Sequence, residues 1–318
     1  MRRRRSKMIK VFIDGSAGTT GLRIRERLAC RKDLQLSVLP EELRKDPSAR
    51  ADALNGADVS FLCLPDAAAI EAASFVTNPK AVVIDTSTAH RVDPGWTYGL
   101  PELTGQREKI AMSKRIANPG CHASGFIALA APLLSAGLIS PEARLSCFSL
   151  TGYSGGGRKM IAEYEAPEMN PLYQAPRQYG LAQVHKHLPE MAAVCGLRHA
   201  PVFCPIVAPY YAGMEVTIPL TPAETSAAPE MLKEVYRDYY RKGLIRYVEG
   251  PDENGFLSAG SLAGKDNMEI SVFGNEERIL LVSRFDNLGK GASGAAIQNM
   301  NLVLGLDEAE GLITDSLR

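Results

Sequence analysis

No apolar run in this 318-residue chain is long enough to cross a bilayer. The longest, Phe126 to Ile139, is broken by Pro132, Ser135 and Gly137, and a spanning helix needs ~20 residues. A net charge is also missing: 36 Lys and Arg balance 36 Asp and Glu. Six of the basic residues crowd into residues 1–10 (Arg2–Arg5, Lys7 and Lys10), which leaves 30 against 36 acids beyond them. A body of that sign lacks the basic footprint of nucleic-acid binding. The Arg2–Arg5 run reads as a solvated extension ahead of the first strand, not as a nucleic-acid or membrane arm. No apolar signal core follows it. The six cysteines (Cys30, Cys63, Cys121, Cys147, Cys195, Cys204) are scattered, which reads as reduced thiols in a cytoplasmic enzyme. Cys195, His199 and Cys204 match no zinc spacing, so no metal is expected. Internal repeats are absent too.

What is present is ordinary globular composition, 45% hydrophobic and 23% charged, in a length that suits two domains. Ile9 to Asp14 reads as a strand, Gly15 to Gly21 as a glycine loop and Leu22 to Cys30 as a helix. Further strands are expected at 34–39, 57–64 and 81–85, with a helix at 67–75. Alternation of this kind predicts a parallel sheet covered on both faces. The wound unit is expected to run to Asn118. A helical stretch over 121–136 and better separated strands at 144–150, 201–207, 215–220, 269–273 and 279–285 then predict a mixed sheet. Helical patterns also fall near 190–195, 229–242 and 293–304. The expected class is therefore α/β: a dinucleotide-binding domain over 1–118, a catalytic and oligomerisation domain over 119–289, and a tail at 290–318 packing back on the first.

Glycines at 15, 18 and 21 let a backbone approach a pyrophosphate, and the helix that follows offers free N–H groups. Ser16, Thr19 and Thr20 add hydroxyls. The second strand carries Ser37 but no acid, Glu41 and Glu42 stand beyond it, and Arg44-Lys45 follow. That pattern favours a ribose 2′-phosphate near Ser37 and Arg44, hence NADP, with Glu41 as the competing reading.

Asn118-Pro119-Gly120-Cys121 precedes a helical stretch, which puts Cys121 at a helix start, where a thiol pKa is expected to fall. A base is expected in His185-Lys186-His187-Leu188-Pro189-Glu190, with either histidine moving the proton and Glu190 orienting it. His90, His122 and His199 read as structural or solvent-facing. Arg91, Ser154 and Arg158 are candidate anion ligands, the last two flanking three glycines that suit an anion nest.

Together the stretches VFIDGSAGTTG (11–21), IDTSTAHR (84–91), YGLPEL (98–103), NPGCHASG (118–125), GYSGGGRK (152–159), HKHLPE (185–190) and DNLGKGASGAAIQNMN (286–301) resemble the shorter type of N-acetyl-gamma-glutamyl-phosphate reductase. That family shares its architecture with aspartate-semialdehyde dehydrogenase and, more distantly, glyceraldehyde-3-phosphate dehydrogenase. The resemblance implies NADPH-dependent reduction of N-acetyl-glutamyl 5-phosphate in arginine biosynthesis, through a thioester on Cys121. It also implies that the histidine pair holds the acid/base and that Asn287, Lys290 and Gly291 close over the nicotinamide. A homodimer or homotetramer is the family-level expectation. Reductases of aspartyl or carrier-linked aminoadipyl phosphate are the nearest alternatives, and a non-catalytic dinucleotide sensor needs neither Cys121 nor the histidines.

Overall fold

Strands and helices alternate through the first third of the computed structural model, which describes residues 8–315. The Arg2–Arg5 run and residues 316–318 of the expected tail lie outside the described residues. β1 (Ile9–Asp14) leads into α1 (Thr19–Leu28), followed by β2 (Leu34–Ser37), α2 (Pro47–Gly56), β3 (Val59–Leu62), α3 (Asp66–Ser74), β4 (Val82–Asp85), β5 (Thr97–Tyr98), α4 (Gln106–Met112) and β6 (Arg115–Ala117). The sheet runs β2-β1-β3-β4-β6-β5 with every pairing parallel. β3 and β4 are buried at every position, the reason their sequences read as continuous apolar runs. Strand order reverses at β1, so the carboxyl ends of β1 and β3 bound the crevice where open α/β sheets take ligands.

The second half holds α5 (Cys121–Ser135), β7 (Ser146–Gly152), α6 (Gly157–Tyr164), β8 (Arg177–Gln178), α7 (Leu188–Cys195), β9 (Val202–Ala208), β10 (Met214–Leu220), α8 (Pro229–Tyr239), β11 (Ile245–Tyr247), β12 (Met268–Asn275), β13 (Arg278–Phe285) and α9 (Gly294–Val303). A single π-turn, Gly289–Ser293, precedes α9. These strands form a mixed sheet, β11-β12-β13-β10-β7-β9-β8. One face is covered by α5 and α8, over a core that includes Phe126, Leu129, Val216, Leu281 and Phe285. α9 returns to the parallel sheet, where Ala296, Ile297 and Met300 share a core with Val11, Ile13 and Ile84.

Element boundaries follow the apolar patterning with small shifts. α1 starts at Thr19, not at Leu22, because Gly18 takes the cap position in extended geometry. α2, α4 and α6 are not legible in the sequence. They bury only Arg50 and Leu54, Ile110, and Tyr164 respectively, too few positions to make an apolar stripe.

Candidate active site

The glycine loop closes the carboxyl end of β1. Gly15 has φ +85°, and a Cβ there would overlap the Cys63 carbonyl, so the loop is held against β3 by a residue with no side chain. Gly18 has no such neighbour: nothing lies nearer than 3.6 Å to a Cβ placed there. Gly18, Thr19, Thr20 and Gly21 line a cavity of about 280 Å³ together with Pro65, Thr86, Ser87, Ser154 and Lys186. Thr19 Oγ1 is buried there without a protein partner. An orphaned hydroxyl, uncapped N–H groups at a helix start and a backbone free of side chains fit a dinucleotide pyrophosphate.

A second cavity, of about 390 Å³, shares Thr20, Thr86, Arg91, Gly155, Lys186 and Leu288 with the first and reaches Cys121. Cys121 opens α5, and Gly120 caps the helix without a side-chain bond. The expected fall in thiol pKa is not what the structure shows. Burial pushes the Cys121 thiol up, and the Arg91 guanidinium, the His122 backbone N–H and Lys186 pull it back only in part. The helix start is there, but desolvation disfavours the thiolate more strongly than those groups favour it.

His187 stands beside this turn. A Cβ on Gly120 would overlap His187 Nε2 and Arg91 Nη1. His187 is buried, its Nδ1 has no partner, and burial pushes its pKa well below the usual imidazole value, with His122, Arg91, His185 and Lys186 adding to the shift. The ring is therefore neutral near pH 7 and free to accept a proton, as a weaker base than an exposed histidine. His185 is half-buried with its ring 4.9 Å from that of His187. His122, expected to be structural or solvent-facing, is buried inside the cluster, 5.3 Å from His187 between ring centres. Its ring nitrogens lie 2.7 Å from Ser149 Oγ and 2.7 Å from Tyr179 Oη, and burial drives its pKa down to about 3. Adjacency to Cys121 was the one sequence signal for it.

Glu190 does not orient a histidine. Gly120 N–H donates to its Oε1 at 2.8 Å, Tyr98 Oη donates to the same oxygen at 2.7 Å, and Arg91 Nη1 donates to Oε2 at 3.1 Å. Glu190 therefore fixes the backbone ahead of Cys121 and the cation in the cavity. Arg91 is further held by donating to the carbonyls of Asn118 and Thr86.

The remaining expected residues divide. Asn287 and Gly291 line the larger cavity, and Asn287 Nδ2 donates to buried Ser154 Oγ at 3.0 Å. Ser16 is buried within the glycine loop. Lys290 is a correction: it is fully buried in an ion pair with Glu102, 2.8 Å away, and lines neither cavity. Arg158 is exposed on α6 and also lines neither. Ser37 and Arg44 are exposed outside both cavities, Ser37 donating to Val11 O and Arg44 to Leu39 O. His90 stacks on Trp96 with its Nδ1 2.6 Å from Asp85. Sequence reasoning missed Tyr179, Thr86 and Met160, all cavity-lining, because they lie outside the glycine, cysteine and histidine patterns. No cluster of three or more His, Cys, Asp or Glu poised for a metal occurs among the described residues.

Comparison with known proteins identifies the family. A family model described as the semialdehyde dehydrogenase NAD binding domain matches residues 40–113, and one described as the semialdehyde dehydrogenase dimerisation domain matches residues 121–287. N-acetyl-gamma-glutamyl-phosphate reductase 2 of Pseudomonas putida is 44% identical over 95% of this chain and 98% of its own. N-acetyl-gamma-glutamyl-phosphate reductase of Brucella suis is 46% identical over 93% of this chain and 99% of its own. Among solved structures, aspartate semialdehyde dehydrogenase II of Vibrio cholerae shares the fold at a TM-score of 0.72 and 17% identity, over 94% of this chain and 99% of that one. The chain belongs to the N-acetyl-gamma-glutamyl-phosphate reductase family of semialdehyde dehydrogenases.

Proposed function

We propose that this chain reduces N-acetyl-L-glutamyl 5-phosphate to N-acetyl-L-glutamate 5-semialdehyde and phosphate, with NADPH as reductant, in arginine biosynthesis in the cytoplasm. The observation that carries the reading is a pair of cavities with shared walls, one holding a helix-start cysteine beside a buried histidine and the other a glycine loop. Cys121, once ionised, attacks the acyl carbon; the C–O bond to phosphate breaks and a thioester forms. His187 Nε2 faces the turn that carries the thiol and takes its proton. Arg91 and Lys186 offer positive charge to the departing phosphate and, by lying near the sulfur, offset part of its desolvation. NADPH, when bound, would supply the hydride that brings the thioester to the aldehyde level. Thr19, Thr20 and the first N–H groups of α1 would hold its pyrophosphate, and Asn287 and Gly291 bound the space on the Cys121 side. His187 then gives the thiol's proton to the substrate oxygen as reduction makes it negative, and takes it back as the C–S bond breaks, which releases the aldehyde and the Cys121 thiolate.

The same reading makes 1–118, with the tail helix, the cofactor unit and 119–289 the catalytic unit. It also predicts a homodimer or homotetramer. Phe148, Val202 and Leu280 are exposed on the sheet face that α5 and α8 leave uncovered. Strand registers put them on one side: Phe148 pairs with Thr217, Thr217 with Val282, and Leu280 with Pro219, while Val202 pairs with Ser146, two residues before Phe148. The deciding experiment is NADP reduction with N-acetyl-glutamate semialdehyde plus phosphate. Turnover there and little with aspartate semialdehyde supports the assignment; the reverse preference overturns it.

A further inference from the structure

Two motifs behind the family resemblance, YGLPEL and DNLGKGASGAAIQNMN, hold residues that the chemistry above does not use, Glu102, Lys290 and Gln298, and in the fold these meet. Lys290 Nζ donates to Glu102 Oε1 and Oε2 at 2.8 and 2.9 Å, and also to Gln298 Oε1. Gln298 Nε2 donates to Glu102 Oε1 at 2.9 Å, and Leu244 N–H donates to the same oxygen at 3.1 Å. Burial pushes the Glu102 carboxyl up, but the Lys290 ammonium and these N–H donors outweigh it and hold it below its usual value. Lys290 is fully buried. A buried ion pair adds little net stability over an apolar pair, so its value here lies in fixing an arrangement.

The arrangement is the π-turn Gly289–Ser293 that carries Lys290. While Lys290 points inward, Gly291 and Ala292 line the cavity. Gly291 packs directly on the nucleophile: a Cβ there would come within 2.9 Å of Cys121 Cβ. A second set of bonds ties the turn to the chain entering Cys121. Asn118 Nδ2 donates to Ala292 O at 3.0 Å, and Asn299 Nδ2 donates to Asn118 Oδ1 at 3.2 Å and to Gly99 O at 2.9 Å.

We propose that Lys290 is a positioning residue: its buried pair with Glu102 clamps the π-turn, so that Gly291 and Ala292 hold the Cys121 sulfur shielded and aimed into the cavity. This rests on Cys121 being the nucleophile. The test uses the full chain. Glu102→Gln/Lys290→Gln removes both charges together and leaves neither buried alone. With the clamp loosened, water reaches the thiol, and iodoacetamide should modify Cys121 about tenfold faster at pH 7, with the midpoint of its pH profile shifted down. Turnover should fall by about 100-fold, as expected for a reacting group displaced by about 1 Å, with little change in KM for NADPH. Gln298→Met keeps the ion pair and removes one support; it should move both readouts in the same direction by less, and it decides the matter alone if the double variant does not fold. A folded variant with the parent alkylation profile and kcat overturns the proposal. Failure of the nucleophile reading shows separately, as turnover retained in Cys121→Ser, because alkylation reports the position of the sulfur whether or not it reacts with substrate.

Discussion

The loop at 15–21 and the turn at 118–121 both place a helix N-terminus on the same cavity system, and they are built in opposite ways. The first is local. Its close contacts join Gly15 to Cys63 and Gly21 to Gly15, and α1 has no side-chain cap. The second is assembled from distant chain: Gly120 N–H reaches Glu190, 70 residues on, and Asn118 reaches Ala292, 174 residues on. A cofactor phosphate needs only backbone N–H groups and space. A reacting sulfur needs its neighbours held to within fractions of an ångström, and long-range side-chain bonds supply that.

The largest effect should fall on the turn. Cys121→Ser should fold, bind NADPH and lose nearly all turnover, because a hydroxyl there is far less ionised than a thiol. His187→Ala should lower kcat by ~10²–10⁴, and His185→Ala by much less, since His185 is the more exposed ring. Equal losses in the two histidine variants would mean that the pair acts as one unit and that burial does not single out His187.

Next comes Glu190→Ala. It leaves Arg91 without its carboxylate and the Gly120 N–H and Tyr98 hydroxyl without their acceptor. Breaking a buried pair costs about 3–5 kcal/mol, which a denaturation curve should show, with turnover reduced as well. A stable variant with full activity would mean that the turn holds itself, and the contrast between the two regions would fail.

The glycine loop predicts an asymmetry of its own. Gly15→Ala forces a side chain into positive φ and into the Cys63 carbonyl, at a cost on the order of 1–3 kcal/mol, and should weaken NADPH binding. Gly18→Ala makes only ordinary van der Waals contact, 3.6 Å from Gly15 O, and should change stability by less than about 1 kcal/mol. A loss of NADPH affinity matching that of Gly15→Ala, with stability kept, would show that Gly18 is needed by the ligand and not by the fold.

This division explains what was legible. Parallel sheet, glycine loop and helix-start cysteine rest on periodicity and on residues close in sequence, so they can be read directly. Glu190 was recognised as important but assigned to the histidines beside it in sequence, whereas its partners Gly120, Arg91 and Tyr98 lie 70 to 99 residues away. Lys290 was expected at the cofactor only through the resemblance carried by DNLGKGASGAAIQNMN. Its partner Glu102 is 188 residues distant, and no local pattern announces the pairing. The thiol pKa went wrong for a related reason: helix position is visible in sequence, and burial is not.

A smaller effect comes from pH. His122 and His187 are held neutral by burial, with folded pKa values below that of the free side chain. The unfolded chain takes up protons near pH 6.5 and the fold does not, so stability present above that pH should be lost as pH falls toward about 3. Melting temperature against pH should show this, and His122→Asn should flatten the slope. The smallest effect should be that of Arg158→Ala, exposed on α6, with KM for the acyl phosphate nearly unchanged; a large rise would place Arg158 at the substrate when it binds.

The most direct test mixes the protein with N-acetyl-glutamyl phosphate in the absence of NADPH, then reads released phosphate and the intact mass. The account predicts one phosphate per active site and an acyl adduct that maps to Cys121 and is removed by hydroxylamine. Phosphate release that waits for NADPH, with no adduct on Cys121, would contradict it.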